Sequence, residues 1–138
     1  MAGTYKEKYN SQRILFSIKE VLKRRFNVKY LLYSFKWKYY PKIGLLSKFP
    51  FHIDIETTDS CNLRCVMCVH GQGKAVNNGF IDKEFARKII RDAADSGVVS
   101  IKLNWKGEPA LYKDLSELVH FAKECGILEV QMNTNGIP

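Results

Sequence analysis

No apolar run in this 138-residue chain approaches the length of a membrane span. The N-terminus also lacks the continuous apolar stretch, ahead of a small-residue cleavage site, that marks a secretory signal. There is no internal repeat and no low-complexity tract, so a stacked repeat architecture and a biased linker are both excluded. Acid is scarce in one region only. Residues 1–50 hold 12 Lys and Arg against 2 Asp and Glu, a balance of +10, while residues 51–138 hold 10 against 12, a balance of −2. Cysteine is sparse, four in all, and three of the four fall within eight positions. That crowding argues against a disulfide framework and for a reducing cytoplasm. With 46% hydrophobic and 26% charged residues the chain reads as globular, with enough apolar material for one core.

The three crowded cysteines are Cys61, Cys65 and Cys68, spaced C-x3-C-x2-C. Upstream, Phe51-His52-Ile53-Asp54-Ile55-Glu56-Thr57 alternates apolar and polar residues, the period of a half-buried strand. Asp59, Ser60 and Asn62 then form a loop. The thiols are therefore expected on a loop leaving the C-terminal end of a strand, where parallel α/β proteins build their sites.

Ionised thiolates are soft ligands for zinc, copper(I) or iron–sulfur clusters. A structural zinc site is closed by four protein ligands, and a cubane cluster ordinarily takes four cysteines. Here the local set stops at three, which leaves an open coordination position. His70 closing a zinc site is one alternative. A thioredoxin-like pair at Cys65 and Cys68 is another. A fully ligated electron-transfer cluster is a third.

Cys61-Asn62-Leu63-Arg64-Cys65-Val66-Met67-Cys68 after a strand resembles the signature of the radical S-adenosylmethionine (SAM) enzymes. The resemblance implies a [4Fe–4S] cluster held by Cys61, Cys65 and Cys68, with the methionyl amine and carboxylate of SAM on the open iron. Met67 then stands at the position that packs near the SAM adenine. Farther on, Asn104-Trp105-Lys106-Gly107-Glu108-Pro109 is similar to the family's Gly-Gly-Glu-Pro segment, which holds the methionyl ammonium. Gly107, Glu108 and Pro109 match; Lys106 replaces the first glycine. Asn133-Thr134-Asn135-Gly136 resembles the family's Thr-Asn-Gly loop and makes Asn133 and Asn135 candidate cofactor-binding residues. The strand entry Ile53–Thr58 and the Lys-Gly-Glu-Pro variant look most like enzymes with a SPASM-type C-terminal domain. The implied partners are a peptide or small-molecule substrate and a flavodoxin- or ferredoxin-type reductant.

Taken in order, Ile14, Leu15, Ile18, Val21, Leu22 and Phe26 recur at helical spacing. An aromatic and lysine-rich stretch, Tyr30–Tyr40, follows and Pro41 stops it. This arm suits an anionic membrane surface or, less favoured, nucleic acid; the plainer expectation is an apolar stripe packed on the core with solvated charges. Asp82 is expected to cap a helix whose buried face is Phe85, Ile89 and Ala93, flanked by Ala86 and Ile90, and which Gly97 closes. Val98–Asn104 reads as a strand, and Leu111, Leu115, Leu118, Ala122 and Cys125 as a helix face ending at Gly126. Leu128–Asn133 alternates as a third strand. The order β-α-β-α-β predicts a parallel α/β sheet with all strand C-termini at one rim. Residues 1–50 are thus expected to form a basic, aromatic-rich helical extension, and 51–138 the incomplete first half of a partial (β/α)6 radical SAM barrel. The alternative function is a non-catalytic zinc-binding module with a basic nucleic-acid arm.

Overall fold

The computed structural model describes residues 26–69 and 79–137. The helix expected from Ile14 falls outside them apart from Phe26, as does His70. The chain divides into two compact units, Met1–Leu46 and Ser47–Pro138.

In the first unit, helix α1 spans Val28–Tyr39. The Asn27 side chain starts it by accepting from the Tyr30 amide at 3.2 Å. Pro41, which has no amide hydrogen to offer, opens a 3-10 turn, Pro41–Ile43, that ends on left-handed Gly44. No residue of α1 is buried.

The second unit alternates strands and helices: β1 His52–Asp54, α2 Lys83–Asp95, β2 Ser100–Lys102, α3 Leu115–Glu124 and β3 Glu129–Gln131. The strands form one sheet in the order β1-β2-β3, all parallel. Ile53 pairs with Ile101 and Ile101 with Val130, so apolar side chains line up across the sheet. The ladders are shorter than the alternating sequences, because beyond each strand the backbone turns to rim contacts. Leu103 still donates to Gln131 and Ile55 to Lys102.

Asp82 caps α2 by accepting from the Phe85 amide at 2.8 Å, worth about 1 kcal/mol. The buried stripe of α2 is Ala86, Ile90 and Ala93, with Ile89 at its margin. Phe85, expected in the core, is 56% exposed; it stands one position off the Ala86-Ile90-Ala93 row and its ring projects outward. On α3 the buried residues are Leu118, Phe121 and Ala122. Leu111 lies in a separate 3-10 turn, Pro109–Leu111, because Pro109 starts that turn and Tyr112 ends it in an extended conformation. Cys125, at the end of the expected helix face, packs partly buried against the core. Helices α2 and α3 are joined by Glu117, which meets Lys83 and Arg87, while the Arg87 guanidinium lies 4.0 Å from the Phe121 ring centre. Ile90, Ile101, Leu103, Leu118 and Ile127 are sealed from solvent, each contributing roughly 1.5–3 kcal/mol of apolar burial. The core sits between the sheet and its helices and leaves the strand C-termini free to carry a site.

Candidate metal centre

The cysteine segment leaves the sheet through a closed stem. Thr57 and Thr58 are buried. The Thr57 hydroxyl donates to the Leu103 carbonyl at 3.1 Å, and the Thr58 hydroxyl to the Gly79 carbonyl at 2.7 Å. Asp59 accepts from the Gly79 amide at 2.6 Å, and the Ile81 amide donates to the Thr57 carbonyl at 3.0 Å. A bridge between Thr58 and Phe80 completes the stem. Everything from Cys61 to Val69 is therefore an excursion whose base is fixed by hydrogen bonds.

Within it, Cys61 and Cys68 are half-buried and Cys65 is exposed, and all three are free thiols. The Cys68 amide donates to the Cys65 carbonyl at 2.9 Å, closing a turn over the C-x-x-C pair, and the Leu63 amide points at Cys61 Sγ at 3.5 Å. Val66 and Met67 are both more than 90% exposed. Among the described residues no three Cys, His, Asp or Glu side chains converge closely enough to hold a metal ion. The donor set nevertheless fits a thiophilic centre: three unpaired sulfurs on one turn-rich loop, two of them held by backbone turns.

The second rim segment is locked onto this loop. Gly107 lies so close to the stem that a Cβ there would meet the Thr58 carbonyl oxygen at 2.0 Å and the Ser60 carbonyl oxygen at 2.8 Å. Its neighbour's amide, Glu108 N–H, donates to the Ser60 carbonyl at 2.8 Å, one residue before Cys61. The close backbone approach thus belongs to position 107 and not to 106. Lys106 is exposed, and only its amide is engaged, by the Glu56 carboxylate at 3.1 Å.

Glu108 is 3% exposed, not the solvated loop acid its type suggests. Its Oε1 accepts from the Ala110 amide at 3.0 Å and the Thr134 hydroxyl at 2.6 Å, and its Oε2 from the Asn135 amide at 2.8 Å. Burial pushes the carboxyl's pKa up, but the donors at Asn135, Thr134 and Ala110 outweigh it and hold the group below its ordinary value. A carboxylate offers about four acceptor positions, so these three donors leave room for one more, on Oε2. Pro109 is buried at the start of the turn that Glu108 caps.

The third rim segment closes the ring. Asn133 N–H donates to the buried Asn104 side chain at 2.9 Å. Asn135 Nδ2 donates to Asn62 Oδ1 at 2.8 Å, and Asn62 Nδ2 to the Ile137 carbonyl at 3.0 Å. The residue following the first cysteine is in this way tied to a loop 73 to 75 positions away. Gly107, Glu108, Pro109, Asn133 and Asn135 are thus brought to one rim with the base of the cysteine loop, while Met67 stands 92% exposed on the loop. Sequence reasoning passed over Asn62, Asn104, Thr57 and Thr134 as site-builders. The available signal was polar side chains just past each strand, where the apolar alternation stops.

A parallel α/β sheet carrying a three-cysteine loop on its C-terminal rim places thiophilic ligands where such folds build their sites. No family model matches the sequence, but individual relatives do. A probable GTP 3′,8-cyclase of Saccharolobus islandicus (strain M.14.25 / Kamchatka #1) is 38% identical over 82 residues, 59% of this chain and 26% of the relative. GTP 3′,8-cyclase of Klebsiella pneumoniae (strain 342) is 31% identical over 90 residues, 62% of this chain and 27% of the relative. The chain spans about a quarter of the length of the curated relatives it matches. Among solved structures, Streptococcus suis SuiB bound to S-adenosylmethionine is 27% identical with a TM-score of 0.58 over 72% of this chain and 22% of that one. BtrN in complex with AdoMet and 2-DOIA shares the fold, with a TM-score of 0.60 over 66% of this chain and 38% of that one, at 24% identity. These sequence relatives and the S-adenosylmethionine-bound neighbour make the chain similar to radical SAM enzymes, which use a [4Fe–4S] cluster and S-adenosylmethionine.

Proposed function

We propose that this chain supplies the cluster-binding and SAM-binding part of a longer radical SAM enzyme that abstracts hydrogen from a peptide or small-metabolite substrate. A cluster at this site would deliver one electron to the sulfonium of SAM, releasing methionine and a 5′-deoxyadenosyl radical. The observation that carries the reading is the joining of the three-cysteine loop to the Gly107–Pro109 segment through Thr58, Ser60 and Glu108. In this reading Cys61, Cys65 and Cys68 provide the thiolates, and the remaining acceptor position of Glu108 takes the methionyl ammonium, a charge-assisted bond in a water-poor setting. Asn133 and Asn135 hold the loop that orients Glu108. Met67 offers an exposed apolar side chain for the adenine to cover. The proposal extends to a cytoplasmic location, a flavodoxin- or ferredoxin-type electron donor and a SPASM-type domain in the same enzyme. Among the described residues no helix is long and apolar enough to cross a membrane.

Anaerobic reconstitution tests this. The expected product is a brown protein with about four iron and four sulfide per chain, whose spectrum SAM perturbs. Cys65→Ala should abolish the visible absorbance. A colourless protein with one zinc, or a cluster indifferent to SAM, would overturn the assignment. Dithionite reduction of the whole enzyme with SAM should yield 5′-deoxyadenosine.

A further inference from the structure

Helix α1 is amphipathic in an unusual sense: its more apolar side is the more exposed one. Asn27, Tyr30, Tyr33, Lys36 and Tyr40, spaced three, three, three and four apart, are half-buried. Val28, Leu31, Leu32, Phe35 and Tyr39 occupy the opposite side at helical spacing, and each is at least 40% exposed. Leucine and phenylalanine presented to water along a whole helix face lose the apolar burial that an amphipathic helix ordinarily gains. Lys29 and Lys38 flank the two edges of this face, and Lys38 and Lys42 lie over the Tyr39 ring at 5.5 and 5.8 Å. Past the helix, Ile43, Leu45 and Leu46 are also exposed. Residues 26–46 contain four lysines and no acid.

We propose that this face is a docking surface for an anionic membrane, on which α1 lies in the interfacial plane. The chemistry selects that occupant. Aliphatic side chains give nothing to phosphates or to stacked bases, so nucleic acid leaves Leu31, Leu32 and Ile43 without a partner. A second copy of the chain would bring like-charged lysine rows together across a self-complementary interface. A hydrocarbon boundary accepts the aliphatic face, and anionic headgroups meet the lysines at its edges. Tyr39, on that face, suits the headgroup level. Spanning is excluded by length: 12 residues at about 1.5 Å rise make roughly 18 Å, against about 30 Å of hydrocarbon. The inference does not depend on the radical SAM assignment, and its test needs no cluster.

The test is co-sedimentation of the full chain with phosphatidylcholine vesicles, with or without about one third phosphatidylglycerol. Sedimentation is expected with the anionic vesicles and at least tenfold weaker with the neutral ones, and high salt should release the protein. The triple variant Lys29→Glu, Lys38→Glu, Lys42→Glu and the triple variant Leu31→Ser, Leu32→Ser, Phe35→Ser should each lower binding at least tenfold. None of the six positions is buried, so circular dichroism and the unfolding profile should stay those of the parent. Equal binding to both vesicles, no binding to either, or binding that survives the leucine substitutions overturns the proposal. So does retention of a single-stranded RNA by both the parent and the leucine variant without vesicle binding. A concentration-dependent dimer that the leucine variant relieves, again without vesicle binding, would assign the face to self-association and overturn it as well.

Discussion

Glu108 carries the most chemistry of any single side chain described. Its carboxylate is almost fully buried yet held below its ordinary pKa, because three donors compensate the desolvation that comes first. A group whose folded pKa is depressed stabilises the fold above its unfolded value near 4.3, and that contribution fades as pH falls through the folded value. Thermal unfolding between about pH 3 and pH 7 should therefore show a loss of stability toward acid that Glu108→Gln largely removes. The amide would also turn an N–H toward one of the three donors, a cost of about 1–3 kcal/mol at neutral pH. Gly107→Ala is a sharper lesion still: with the Thr58 carbonyl 2.0 Å from the new Cβ, the backbone must move, at roughly 1–3 kcal/mol or more by chemical denaturation. The motif made Gly107 and Glu108 conspicuous in the sequence. What they touch was not legible, since the donors to Glu108 from Thr134 and Asn135 stand 26 and 27 positions away and no local period encodes such a pairing.

At the level of elements, the sequence was most readable where one residue makes one local bond. Asp82 capping α2 and the left-handed Gly97 and Gly126 after the two helices follow from side-chain reach and from the freedom of glycine alone. It was least readable where packing chooses among similar apolar residues. Phe85 and Ala86 are neighbours on the first turn of α2, and it is the smaller one that goes in, on the row with Ile90 and Ala93. The loops show the same division. That the cysteine loop follows a strand was legible; that Asn62 ties it to Asn135 and Ile137 was not. Asn62→Ala should leave the core intact while exchange of the 134–137 amides quickens roughly fivefold, the equivalent of about 1 kcal/mol of lost local bonding. Amide hydrogen exchange measures it, and unchanged rates would mean that the tie does not restrain the loop.

For the whole molecule, the β-α-β-α-β order announced a parallel sheet because parallel neighbours need crossover helices. A consequence follows for how the molecule comes together. His52 pairs with Ser100 and Ser100 with Glu129, partners 48 and 29 positions apart, so no ladder begins as a hairpin. Each pairing must first close a wide stretch of chain, and topologies of high contact order assemble slowly. The thiols lie close together in sequence, but the rim loop tied to Asn62 comes from 73 to 75 positions away. Metal offered to the nascent polypeptide meets a loose loop; metal offered after folding meets one whose base is braced.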